Sequence, residues 1–190
     1  MSAKRLNIAV FLSGGGSNLQ SLIDAQRENY FKSSIELVIS NKKDAFGLQR
    51  AKMEGIDNYY IEDEEEVIEM LREYNIDLIC LAGYLKILSK KFLNQFEGKI
   101  INIHPSLLPK YGGKGMYGLY VHEAVLDSGD QISGATVHFV TEKIDMGKII
   151  IQEEIDIKNE KTAIDIGKKV LKIEHKIYKE AIRMIEEGEI

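Results

Sequence analysis

The feature that most constrains the fold is an alternation of short apolar runs with amphipathic stretches, which continues to about residue 105. Apolar runs short enough to be buried strands lie at residues 6–12, 35–40, 77–82 and 99–103, with a weaker run at 58–61. Between them, apolar residues recur at helical spacing at residues 18–28, 45–54, 64–74 and 89–96. Strands that alternate with helices across short connections predict an α/β fold with a doubly wound, mostly parallel sheet, and the weaker run predicts an edge strand.

The pattern changes in the second half of the chain. Residues 110–118 contain four of the sixteen glycines, which predicts a mobile loop. A helix is expected at 119–127, followed by two longer strands at 132–140 and 148–155 that we expect to pair antiparallel. Thr162 and Asp165 form a capping pattern for a last helix that continues to about residue 187. No repeat or linker is present, so we expect residues 1–190 to form a single domain.

A glycine-rich turn follows the first predicted strand, in the sequence Ser13-Gly-Gly-Gly-Ser-Asn-Leu19. Glycines allow the backbone to approach a ligand closely, and the free N–H groups at a helix start favour an anion. A dinucleotide fingerprint would place its third glycine at Leu19, and the Gly-Lys-Ser/Thr sequence of a P-loop is absent. The turn therefore favours a single phosphate ester over NAD or ATP. The alternative is a plain strand–helix turn capped by Ser17 or Asn18.

The most informative stretch is Asn102-Ile-His-Pro-Ser-Leu-Leu-Pro109. Strand alternation points Asn102 and His104 to the same face, and the two prolines predict a rigid corner after them. An amide N–H can donate to a developing oxyanion, and an imidazole can move a proton near neutral pH, which is the pairing that acyl transfer needs. Alternatively, Asn102 satisfies buried backbone groups and His104 is a hydrogen-bonded turn residue.

Composition excludes several classes of protein. A net charge of −5 argues against a general nucleic-acid surface, and no apolar run reaches the 18 residues of a membrane span. The start of the chain lacks a convincing signal peptide, and the lone Cys80 lies in an apolar run, as expected for a buried, inert thiol. We therefore expect a cytoplasmic protein that binds neither nucleic acid nor membrane. No pair of histidines or cysteines has the spacing of a zinc site, so we expect no metal.

Five motifs occur in the order found in one enzyme family. They are the glycine turn, Ser40-Asn-Lys42 with Ala45-Phe-Gly-Leu48, Leu81-Ala-Gly83, the Asn102–Pro109 stretch, and Gly134-Ala-Thr-Val-His-Phe-Val140. On these motifs the whole chain resembles the folate-dependent phosphoribosylglycinamide formyltransferases of purine synthesis. The resemblance implies a formyltransferase Rossmann-like fold with an antiparallel C-terminal part. It also implies 10-formyltetrahydrofolate as co-substrate, glycinamide ribonucleotide as formyl acceptor, and a monomer or homodimer.

The resemblance also implies roles for individual residues. Asn102 matches the oxyanion donor, His104 the general acid, and Asp145 the carboxylate that holds His104 protonated and orders a water. Gly16, Ser17 and Asn18 match the positions that bind the substrate phosphate. The site of the glycinamide group is matched by Lys172, Ile173 and Glu174. The folate pterin is implied to contact Leu85, Lys86, Ile87, Leu88, Asn102, Thr141, Glu142, Lys143, Ile144 and Asp145.

The chain departs from the family pattern at two places. Residues 111–118 lack the family's proline and are several residues longer, which leaves the role of this loop open. The connection at 61–66 is shortened and has no counterpart of the family's arginine, and Arg72 lies too far along its helix to replace it.

Other activities of the same family remain alternatives. A formyltetrahydrofolate hydrolase usually carries an extra N-terminal domain, and methionyl-tRNA formyltransferase needs a further RNA-binding domain and a more basic surface. A sugar-nucleotide formyltransferase suits the glycine turn less well, and a non-catalytic ligand-binding relative would not need the three catalytic groups.

Three further histidines have no assigned role. His138 lies in a predicted strand and is either a hydrogen-bonded core residue or a support for the catalytic groups. His122 is expected to be structural or exposed, and His175 is expected at the surface because it projects about 100° from Glu174 on a helix.

Overall fold

The computed structural model describes residues 4–190 and has a seven-stranded sheet with flanking helices. The sheet order is β3-β2-β1-β4-β5-β6-β7. The strands are β1 (Asn7–Leu12), β2 (Ser34–Ser40), β3 (Asp57–Tyr60), β4 (Leu78–Leu81), β5 (Lys99–His104), β6 (Ile132–Phe139) and β7 (Ile149–Asp156). The helices are α1 (Ser17–Arg27), α2 (Phe46–Met53), α3 (Glu64–Glu73), α4 (Lys90–Gln95), α5 (Leu119–Ser128) and α6 (Ala163–Glu186). Within residues 4–190, no helix is both long and apolar enough to cross a membrane.

These elements confirm the fold class expected from the sequence. β1 pairs in parallel with β2 and β4, β2 pairs in parallel with β3, and β6 and β7 are antiparallel. The weak run at 58–61 is β3, which lies at an edge of the sheet as predicted. Thr162 also caps α6 as predicted, because its hydroxyl accepts the Asp165 N–H at 3.1 Å and donates to the Asp165 carboxylate at 2.7 Å.

The chain separates into two compact units. The first contains residues up to Ile101 together with Ile182–Ile190, and the second is Asn102–Ala181. The core of the first unit is built on β1, whose residues from Ile8 to Leu12 are fully buried. Continuous apolar strands of this kind are typical of parallel sheets that are covered on both faces. The expectation that residues 1–190 form a single domain stays a prediction.

Candidate active site

The second unit begins at the end of β5, where the sequence predicted a catalytic amide and imidazole. Asn102 is partly buried and His104 is only 4% exposed. The Nε2–H of His104 donates to the Tyr111 carbonyl at 2.8 Å, so the ring is fixed by the main chain that follows the strand. In the neutral ring, this bond leaves Nδ1 as the nitrogen able to take up a proton.

The corner after β5 is held in place by polar side chains. The Thr136 hydroxyl on β6 donates to the Ser106 carbonyl at 2.6 Å and accepts the Leu108 N–H at 3.1 Å. Gln152 on β7 donates to both the Leu108 carbonyl and the Thr136 hydroxyl, at 3.0 and 2.8 Å. These bonds satisfy buried backbone groups and add a reason for a fixed corner that the two prolines alone did not reveal.

Asp145 lies between two histidines. One carboxylate oxygen is 3.7 Å from His104 Nδ1, and the other is 3.6 Å from His138 Nε2. The Asp145 side chain is 11% exposed, and its carboxylate also accepts the Gly113 N–H at 2.8 Å. The fold therefore brings together Asn102, His104 and Asp145, the three groups that the sequence singled out as catalytic.

The surroundings of this cluster shift the pKa of two of its groups. Burial opposes ionisation of Asp145, but the neighbouring His138 side chain, the Gly113 N–H and the His104 ring together lower its pKa below the usual 3.8. Burial also lowers the pKa of His104 below 6.5, and it outweighs the raising effects of the Asp145 carboxylate and the Tyr111 carbonyl. Burial thus favours the neutral form of His104. Burial therefore opposes the expected role of Asp145 in keeping His104 protonated, and that role stays a prediction.

His138 is the member of the cluster whose role the sequence left open. Its ring is buried, its Nδ1–H donates to the Phe139 carbonyl at 2.9 Å, and its Nε2 lies 3.2 Å from the amide nitrogen of Asn102. Its position in a predicted strand could not show which side chains from other segments lie beside it. The structure therefore favours the second of the two interpretations, a histidine that supports the catalytic groups.

The glycine turn lies in the first unit, between β1 and α1. Gly16 is the residue before the helix, with a φ of 72°, and no side chain caps the helix start. The capping roles suggested for Ser17 and Asn18 are therefore wrong, since the helix already begins at Ser17. Asn18 is buried at 8% exposure. The backbone N–H groups of Gly16, Ser17 and Asn18 are those of a helix start, the position that favours an anion.

The segment that follows β4 is connected to the glycine turn. The Ser13 hydroxyl donates to the Asn41 side chain at 2.6 Å and accepts the Leu85 N–H at 2.8 Å. Leu85 and Ile87 are 54% and 62% exposed, whereas Leu88 is buried. Exposed apolar side chains of this kind are available to an apolar ring of a ligand.

Lys86 contacts the connection at residues 61–66. Its amino group donates to the Glu62 carbonyl at 2.6 Å and lies 3.8 Å from the Glu64 carboxylate. A lysine cation therefore lies at the connection where the sequence lacks the family's arginine.

The remaining predicted binding residues lie on two segments of the second unit. Thr141, Glu142, Lys143 and Ile144 are exposed in the turn that leads to Asp145. On α6, Lys172 is exposed and Ile173 is partly buried, whereas Glu174 is buried at 8% exposure. Helical position alone would have placed Glu174 in solvent, so only the family resemblance identified it.

The structure also shows how far the two remaining histidines, His122 and His175, are buried. His122 is buried against Gly167, where an added Cβ would lie 3.0 Å from its ring, and burial lowers the pKa of His122 to about 4. His122 is therefore structural, one of the two roles expected for it. His175 is partly buried, so its expected surface position is only partly correct.

The cluster in the second unit has the groups needed for acyl transfer. Asn102 has two amide N–H groups, of which His138 engages one, so the other can donate to an oxyanion. His104 offers a neutral nitrogen that can accept a proton, and Asp145 stabilises the imidazolium that results. This set of groups fits the formation and collapse of a tetrahedral intermediate.

Comparisons with known proteins agree with this chemistry. The Formyl transferase family model matches residues 6–182. A phosphoribosylglycinamide formyltransferase from Escherichia coli is 39% identical over 194 residues, which are 97% of this chain and 89% of that protein. A trifunctional purine biosynthetic protein from Homo sapiens is 39% identical over 98% of this chain, although the chain spans only 19% of that protein.

A solved structure shows the same architecture. The glycinamide ribonucleotide transformylase 1 of Symbiobacterium toebii has a TM-score of 0.90 and 37% identity, and the match covers 97% of this chain and 89% of that one. The family match and the full-length similarity lead to one conclusion: the chain belongs to the formyl transferase family.

Proposed function

We propose that the chain transfers the formyl group of 10-formyltetrahydrofolate to the amine of glycinamide ribonucleotide in purine biosynthesis. The products are N-formylglycinamide ribonucleotide and tetrahydrofolate. The observation that carries the proposal is the convergence of Asn102, His104 and Asp145 in one cluster of the second unit. Similarity to glycinamide ribonucleotide formyltransferases over nearly the whole chain supports this choice of acceptor.

In this mechanism, the substrate amine attacks the formyl carbon, and the carbonyl oxygen becomes an oxyanion. The free N–H of Asn102 donates to that oxyanion, a contribution typically worth about 2.7–4 kcal/mol of barrier. Neutral His104 accepts at Nδ1 the proton that the attacking nitrogen loses. It then returns the proton to the folate nitrogen as the carbon–nitrogen bond to the carrier breaks. Asp145, 3.7 Å from Nδ1, stabilises the imidazolium between these two transfers.

The binding roles are part of the same proposal. The N–H groups of Gly16, Ser17 and Asn18 would bind the substrate phosphate, and Lys172, Ile173 and Glu174 would contact the glycinamide group. The exposed apolar side chains of Leu85 and Ile87 support a pterin site on the segment that ends at Leu88. A cytoplasmic location and a monomer or homodimer stay predictions.

The test is an assay with 10-formyltetrahydrofolate and glycinamide ribonucleotide that follows both tetrahydrofolate and formylated product. Asn102→Ala, His104→Ala and Asp145→Ala should each lower kcat by at least about a hundredfold while the fold survives. The exposed Asn94 on α4 provides the control, since Asn94→Ala should retain full activity. Release of free formate without formylated product would indicate a hydrolase, and near-normal turnover in all three variants would refute the site.

A further inference from the structure

Two carbonyls of the glycine turn are directed toward α2. The Gly14 carbonyl accepts the Gly47 N–H at 3.0 Å, and the Gly15 carbonyl accepts the Nε–H of Arg50 at 2.8 Å. Both donors belong to one helix, but the first is a backbone group at its start and the second is a charged side chain one turn later. A hydrogen bond from a charged donor is roughly twice as strong as one between neutral groups.

These bonds determine where the N–H groups of the turn point. In a planar trans peptide the carbonyl and the following N–H are directed to opposite sides. The bonds to Gly14 and Gly15 therefore direct the N–H groups of Gly15 and Gly16 away from α2. Successive N–H groups on one side, followed by a helix start at Ser17, are an arrangement that favours an anion.

The Arg50 guanidinium is itself fixed by its surroundings. It donates through Nη1 to the Gln20 side chain at 3.2 Å and lies 5.0 Å from the centre of the Phe46 ring. Its aliphatic stem packs close to Gly16, since an added Cβ there would lie 3.4 Å from Arg50 Cδ and only 2.7 Å from Gly47 Cα. The turn thus requires a glycine at position 16, and the Arg50 cation packs behind it.

We propose that Arg50 is a positioning residue for the substrate phosphate: it holds the Gly15 carbonyl and thereby directs the Gly16 N–H at the anion. Arg50 also brings a positive charge close to the dianion without contacting it. This inference rests on the proposed function for the identity of the substrate. It rests on the proposed function also for the place of the phosphate, and the structure contributes the contact between Arg50 and the glycine turn.

The loss of Arg50 should affect the binding of only one of the two substrates. Arg50→Met keeps the length and packing of the stem but removes the donor and the charge. We expect KM for glycinamide ribonucleotide to rise about tenfold, as loss of one charge-assisted hydrogen bond implies, while kcat and KM for the formyl-folate stay within about twofold. Arg50→Lys keeps a charged donor and should restore most of the affinity.

Arg27 supplies a matched control. Its guanidinium joins α1 to α2 through the Glu54 carboxylate, as Arg50 joins them through Gln20, but at the ends of the helices remote from the glycine turn. Arg27→Met should leave both KM values unchanged. An equal effect of the two substitutions would overturn the proposal, because it would show only a general weakening of helix packing.

A second measurement is independent of turnover. The melting temperature of each protein is recorded while inorganic phosphate is titrated at constant ionic strength, with chloride as the reference anion. Phosphate should stabilise the wild type and the Arg27→Met protein more than Arg50→Met at equal concentration. The same phosphate response in Arg50→Met and the wild type, or a rise of both KM values together, would overturn the role of Arg50. Absence of formyl transfer in the wild type would instead refute the proposed function and leave the phosphate titration to decide about Arg50.

Discussion

Replacing His138 tests how the catalytic amide is oriented. The Nδ1–H of His138 donates to the Phe139 carbonyl, so in the neutral ring Nε2 is bare and accepts an N–H of Asn102 at 3.2 Å. His138→Leu removes this acceptor and still fills a buried position with an apolar side chain. His138→Gln keeps an acceptor near the place of Nε2. We expect the leucine variant to lose activity and the glutamine variant to retain most of it.

The size of the effect follows from the bonds involved. One hydrogen bond between neutral groups contributes about 0.5–1.5 kcal/mol net, which corresponds to a fall of about 2- to 13-fold in kcat if its loss frees the amide. The upper limit is set by the amide itself. His138 cannot contribute more through Asn102 than the about 2.7–4 kcal/mol that an oxyanion donor supplies.

A double-mutant cycle separates this role from others. kcat is measured for the wild type, His138→Leu, Asn102→Ala and the double variant, with thermal melting as a check on folding. If His138 acts through Asn102, the leucine substitution has little further effect once the amide is gone. The same fold-loss in both backgrounds would refute the reasoning. A parallel cycle that combines His138→Leu with Asp145→Asn then tests the other contact of His138, between its Nε2 and the Asp145 carboxylate at 3.6 Å.

Three further predictions follow from the described contacts. Glu186→Ala should lower the free energy of unfolding by about 3–5 kcal/mol in urea titrations, because the buried Glu186 carboxylate accepts the N–H groups of residues 32 and 33 and the Ser33 hydroxyl. The control is the exposed Glu187, whose replacement by alanine should cost under about 0.5 kcal/mol. Burial lowers the pKa of His104, so the unfolded chain binds its proton more readily; stability should fall as pH drops below about 6.5, and His104→Gln should flatten that slope. Ser13→Ala removes the hydroxyl that fixes the segment after β4, and it should raise KM for the formyl-folate more than KM for the amine substrate in steady-state assays.

The sequence predicted most of the fold because its signals are local. Apolar runs and helical spacing depend only on neighbours along the chain, which is why the strands and helices begin and end within a few residues of the expected positions. Whether a polar residue on a helix is buried cannot be inferred from its neighbours along the chain, since it depends on what packs against the helix. Glu174 and His122 show this: both are buried, and neither position reveals it from spacing alone.

The candidate site likewise contains residues that a local pattern could pair and a residue that it could not. Alternation within one strand sufficed to pair Asn102 with His104, because both belong to β5. No local pattern could place Asp145 beside them, since it is more than forty residues away and only the family resemblance singled it out. The lowered pKa of His104 was also beyond the sequence, because it depends on how burial balances the nearby carboxylate.

Backbone strain at the site is concentrated where it orients the catalytic groups. Tyr111 and Asp145 both have left-handed backbones, with φ of 56° and 54°, a conformation that costs an L-residue about 1–2 kcal/mol. Asp tolerates it better than a bulky aromatic residue, so the tyrosine needs compensation. Its hydroxyl lies 2.6 Å from both the Ser128 hydroxyl and the Asp130 carboxylate, which share its single hydrogen, and these contacts fix the residue whose carbonyl accepts from His104. The strained tyrosine therefore decides which nitrogen of His104 faces Asp145, and through that choice which nitrogen can carry the proton.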